Sequence, residues 1–185
     1  NVAYQTSGNI AVSNDEALKF IEVMNGVDEK YQKNSLYKKI KKQILLKKDG
    51  DPESKDVMHL KSLIRKSECI GAAKFLNLPE KNLHFLNLPF YETGFIKKNE
   101  PSEMDHKITT ELIKQIKPHQ IYAAGDLADP HGTHRICLDI IFKSIESIKN
   151  KKFMNDCWLW LYRGAWQEWN IEDIEMAIPM SPSQV

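Results

Sequence analysis

Short strand-like runs alternate with helical stretches of ten or more residues along this chain, and that alternation constrains the fold more than any other feature. Val2 to Gln5, Leu83 to Asn87, Gln120 to Ala124, Cys157 to Tyr162 and Glu175 to Ile178 read as strands. A strand followed by a helix of that length returns parallel to its predecessor, because a hairpin needs only a short turn. The expected fold is therefore α/β, a layered fold with a mainly parallel sheet. Repeats, low-complexity tracts and linkers are not evident, so residues 1–185 are read as a single domain.

The helices carry their own punctuation. Ser13 and Glu16 form a capping box, and Ala17, Leu18, Ile21 and Met24 follow at helical spacing up to Gly26. A second helix is expected from about Asp28 to Lys48, with Tyr31, Leu36, Ile40 and Ile44 among many lysines. Those lysines read as a solvated face rather than a phosphate-binding patch, since acidic residues elsewhere cancel their charge and no aromatics interleave. A third helix carries Val57, Leu60, Leu63, Ile64, Ala72, Ala73 and Leu76, and Asn77 and Pro79 end it. Ser102 caps a fourth, which Pro118 closes, and a fifth is expected from about His131 to Ile148.

Composition removes several functions. Lys and Arg number 26 against 25 Asp and Glu, a formal net charge of +1, so nothing pulls the chain toward nucleic acid or anionic membranes. No apolar run approaches the roughly 20 residues needed to span a bilayer, and the mean hydropathy is −0.48. Cys69, Cys137 and Cys157 are far apart, which fits a reducing, cytoplasmic setting better than a disulfide framework. The chain opens on Asn1 in mid-strand and stops at Ser181-Pro182, a helix-start signal with no helix after it. It therefore reads as an internal piece of a longer protein, truncated at both ends.

Ligands of parallel sheets collect at the carboxyl ends of the strands. That rule singles out Thr6 to Asn9, Leu88 to Gly94, Gly125 to His134 and Arg163 to Trp169. The densest of these is Asp129-Pro130-His131-Gly132-Thr133-His134. Asp129 suits an N-cap and Pro130 a first helical position, which would put His131 and His134 on one face of the first turn. Neutral imidazole is favoured there, and it is the metal-binding form. Capping or surface histidines have the same spacing, and two histidines are too few for a catalytic zinc. Trp158 and Trp160 should share a sheet face as core residues, whereas Trp166 sits in a loop where it could stack on a sugar ring.

The run Asp129 to Arg135 after Tyr-Ala-Ala-Gly resembles the second metal motif of the LmbE-like, or PIG-L, family of zinc-dependent N-deacetylases. Tyr4 to Asn9 resembles that family's second strand and glycine turn, Arg65 to Glu68 its Arg-x-x-Glu helix, and Leu83 to Pro89 the following strand. The resemblance implies a Rossmann-like three-layer fold and removal of an acetyl group from an N-acetyl amino sugar. It makes His134 a zinc ligand, His131 catalytic, and Arg65 and Glu92 substrate-binding residues, with Asn9 in the glycine turn beside them; Asp129, an N-cap first, is a second catalytic candidate, and Trp166 joins the substrate-binding set by its place in the loop. Arg65 and Glu68 suit an ordinary salt bridge equally well. The remaining Zn2+ ligands and the general base belong to a motif expected upstream of Asn1. This sequence has Gly132-Thr133 where the family has Pro-Asp. Zinc would lower the pKa of its water to about 7, and hydroxide would attack the amide. Assembly into a homo-oligomer is a further expectation. The nearest subgroup joins this domain to a glucosamine-6-phosphate deaminase-like domain. Two alternatives stay open: a non-catalytic sugar-binding or regulatory domain, and an accessory part of such a deaminase-type protein.

Overall fold

The computed structural model describes residues 1–31, 36–125, 131–163 and 169–179, the side chains of 28–31 excepted. Two compact units, residues 1–109 and 110–185, divide the chain.

The first unit contains β1 (Val2–Tyr4), α1 (Asn14–Tyr31), α2 (Leu36–Leu45), α3 (Lys55–Phe75) and β2 (Leu83–Phe85), and α4 (Glu103–Ile116) begins in it. β1 and β2 pair parallel in the register Val2↔Leu83, Ala3↔His84, Tyr4↔Phe85. The Tyr4 and Phe85 rings stack at 5.1 Å. Ser13 Oγ accepts from the Glu16 amide at 3.1 Å, so the capping box forms as the sequence indicates. Asp15 and Glu16 complement the helix dipole in that first turn. The expected stop at Gly26 does not occur. Gly26 does not take the positive φ that terminates helices, and α1 runs on to Tyr31.

Ser54 caps α3 through the Val57 amide at 3.3 Å. Asn77, at φ 54°, reverses the chain after it, and the Leu78 amide closes onto the Ala73 carbonyl at 2.8 Å. Val12, Ala17, Ile21, Ile40, Ile44, Val57, Leu60 and Ile64 form one buried cluster drawn from α1, α2, α3 and the segment just before α1. Each large aliphatic side chain there contributes about 1.5–3 kcal/mol of burial.

The second unit holds β3 (Gln120–Ala124), α5 (Thr133–Ile148) and β4 (Trp158–Tyr162). β3 and β4 pair parallel, from Gln120↔Trp158 to Ala124↔Tyr162. α5 packs on β3 and buries Leu138, Ile140, Ser144 and Ile148. Mixed helices and parallel strand pairs bear out the α/β expectation, although the described strands form two separate pairs. Glu175 to Ile178 is not a strand; it has no ladder partner among the described residues. Trp158 and Trp160 do share a face and stack at 6.5 Å, but Trp158 is 67% exposed and not a core residue. α5 starts later than expected. Gly132, at φ 69°, is its N-cap, and His131 lies in a turn before the first helical residue. Among the described residues, no helix is long and apolar enough to cross a membrane.

Candidate functional site

Parallel pairing of β1 and β2 brings their two carboxyl-end loops side by side. After β1 the chain turns at Gly8, whose φ of +69° suits glycine. A Cβ at Gly8 would also meet Arg65 Cγ at 3.2 Å and Nε at 3.3 Å. The loop after β2 is tied down by its own residues. Leu88, Phe90 and Tyr91 are buried, and Asp105 at the start of α4 accepts from the Phe90 amide at 3.0 Å. Glu92 follows directly and accepts from Asn9 Nδ2 at 2.9 Å. Asn9 is 3% exposed.

Three residues singled out in the sequence therefore converge in this unit: Asn9 and Glu92 are bonded, and Arg65 lies against the Gly8 turn beside them. Arg65 also pairs with Glu68 one turn on, the salt-bridge reading of that motif. The second oxygen of Glu92, Oε1, is buried and has no hydrogen-bond partner among the described residues.

In the second unit, His131 and His134 follow the carboxyl end of β3 and both are exposed. They do not share a helical turn, since His131 precedes α5. Gly125, directly after β3, sits in a crowded place: a Cβ there would lie 2.9 Å from Leu161 Cβ and 3.2 Å from Trp169 Cζ2. Its amide donates to the Tyr162 carbonyl at 2.7 Å. Arg163 stacks on Trp169 at 4.0 Å. Asp129 and Trp166, two further expected site residues, lie outside the described residues. Among the described residues no three His, Cys, Asp or Glu side chains come together as a metal site. The described residues alone thus do not fit a zinc ion.

Sequence reasoning missed a cavity of about 540 Å³ in the first unit, mostly apolar in its lining with a few charged side chains at its wall. Asn9, Asn14, Lys47, Glu53, Lys61 and the Gly94–Lys97 loop are among its walls. Lys61 is 5% exposed and donates to Glu53 Oε2 at 2.6 Å and Asn14 Oδ1 at 2.7 Å. Lys47 reaches the other Glu53 oxygen at 3.3 Å. Burial pushes the Glu53 carboxyl up, but the ammonium groups of Lys61 and Lys47 outweigh it and hold it below its ordinary range. A signal was present. Lys61 lies on the stripe formed by Val57, Leu60 and Ile64, where an ordinary surface lysine has no place.

Fold and site together define an α/β protein whose polar residues gather at the carboxyl ends of a parallel strand pair. No protein-family model matches the chain. A glucosamine-6-phosphate deaminase-like protein of Bacteroides thetaiotaomicron is similar to it, 48% identical over 193 residues. That match covers 100% of this chain and 29% of that protein, so the chain spans under a third of the relative's length. No solved structure matches.

Proposed function

We propose that this chain is an amino-sugar-binding module, an accessory part of a larger glucosamine-6-phosphate deaminase-like protein. The observation that carries the reading is Glu92 Oε1, a buried carboxylate oxygen without a donor beside Asn9. Leaving such an oxygen unsatisfied costs about 1–3 kcal/mol, which a ligand donor offsets. A sugar hydroxyl supplies a neutral donor; a sugar ammonium supplies a charged one and makes the stronger bond. The similarity to an amino-sugar enzyme-like protein supports the same class of ligand.

Titration with glucosamine and glucose tests this. Glucosamine is expected to bind more tightly, and Glu92→Gln to weaken it roughly tenfold, the worth of one charge-assisted hydrogen bond. The thermal midpoint should barely move. Unchanged glucosamine affinity in a folded Glu92→Gln protein rejects the reading.

A zinc-dependent N-deacetylase is the second reading, supported by the exposed His131 and His134 beyond β3. It needs metal ligands that the described residues do not bring together. Metal analysis of the longer protein separates the two. Stoichiometric zinc that disappears in His134→Ala favours the deacetylase, and a metal-free protein that binds glucosamine favours the binding module.

A further inference from the structure

We propose that the cavity in the first unit is a binding pocket for the phosphate monoester of a sugar-sized molecule, with Lys47, Lys61 and Lys97 facing the phosphate. The first argument is charge. Two ammonium groups, those of Lys61 and Lys47, converge on the single carboxylate of Glu53. Lys61 is buried, and buried charge is held at a cost unless it is matched. The cavity's other carboxylate, Asp51, is exposed and already accepts from the Lys48 amide at 3.2 Å. Lys97 adds a further cation from the opposite loop. The lining carries three ammonium groups against the two carboxylates of Asp51 and Glu53, a net positive charge toward an entering anion.

The second argument is shape. The Gly94–Lys97 wall is built before any ligand arrives. Gly94 takes φ +75°, and a Cβ there would lie 3.0 Å from the Glu53 carbonyl oxygen. The Glu53 amide donates to the Gly94 carbonyl at 2.8 Å, and Thr93 Oγ1 donates to the Lys97 carbonyl at 2.9 Å. Phe95 and Ile96 on this wall are exposed apolar side chains. A volume of about 540 Å³ with charge at one part and an aromatic surface at another suits a phosphorylated sugar better than a bare ion. Lys47 belongs to the lysine-rich stretch read from sequence as a solvated face; it departs from that reading by reaching Glu53. The inference rests on this charge arrangement and not on the Glu92 reading.

Isothermal titration of the chain with glucose 6-phosphate, glucose and glucuronate at low salt tests the proposal. Glucose 6-phosphate is expected to bind at least tenfold more tightly than either of the others. Lys47→Ala and Lys97→Ala should each weaken it roughly tenfold, and together about a hundredfold, with the circular dichroism spectrum unchanged. The ratio of glucose 6-phosphate to glucose affinity reads the phosphate alone, whereas the amino-sugar reading is tested by the ratio of glucosamine to glucose. Equal binding of glucose and glucose 6-phosphate overturns the proposal. So does glucuronate binding as well as the phosphate, or undiminished binding in a folded double lysine variant.

Discussion

Asp105→Ala is expected to lower the unfolding free energy by about 3–5 kcal/mol, a large part of a typical domain's total. Asp105 is fully buried and accepts from the Phe90 amide at 3.0 Å, the Ser102 amide at 2.7 Å and the Ser102 hydroxyl at 2.6 Å. Truncation leaves those donors without an acceptor and opens a void beside Phe90. Burial pushes the Asp105 carboxyl up, but the hydrogen bonds from Ser102 and Phe90 outweigh it and hold it below the ordinary range. The pH dependence follows in sign. A carboxyl depressed in the folded state stabilises the fold above its unfolded pKa, near 4, and that stability is lost as pH falls through the folded value. Urea denaturation at pH 7 and pH 3 should therefore show wild type losing more stability on acidification than Asp105→Ala. A variant within 1 kcal/mol of wild type at pH 7 would contradict this account. Glucosamine affinity should fall with stability, because Phe90 anchors the turn that presents Glu92.

Much of this was legible in the sequence because it is local. Ser13 and Glu16 declare a helix start by their spacing alone, and the structure forms that cap. Asn77 and Pro79 declare an end. The adjacency of Asn9 and Glu92 needed one further step, that strands joined through helices pair parallel and bring their carboxyl ends together. That rule singled out both segments among four, and the structure bonds the two residues across 83 positions.

What was not legible depends on choices the chain makes in three dimensions. Glycine illustrates this. Gly26 continues a helix, whereas Gly132 takes a positive φ and starts one, and sequence alone reversed their roles. The cost was the histidine geometry, since His131 falls before α5 and cannot share a turn with His134. Trp158 and Trp160 show a different failure. Alternation correctly put them on one face, but whether another layer covers that face is not a property of the strand. Lys61 was passed over because lysine is read as a surface residue, and its carboxylate partner lies eight positions before it, outside the helix.

Glu53→Gln is expected to cost about 3 kcal/mol or more, because it strands a buried ammonium. Removing one member of a buried ion pair typically costs about 3–5 kcal/mol, while replacing both by apolar groups is often close to neutral. The double variant Glu53→Gln/Lys61→Met should therefore regain most of what the single variant loses. If the double variant is as unstable as the single one, packing and not charge explains the loss. The Glu53 carboxyl is also held low by Lys61 and Lys47 against burial, so its contribution is lost as pH falls through the folded value. In the single variant Lys47, Lys61 and Lys97 line the cavity without the Glu53 carboxylate that pairs with two of them. Glucose 6-phosphate should then raise the melting temperature of Glu53→Gln more than that of wild type, since a ligand stabilises in proportion to its affinity for the folded state. Glucose should not distinguish the two proteins. Loss of stability on charge removal, recovery by the apolar double substitution and rescue by a phosphate ester are three readouts of one imbalance. A purely structural ion pair would produce the first two and not the third.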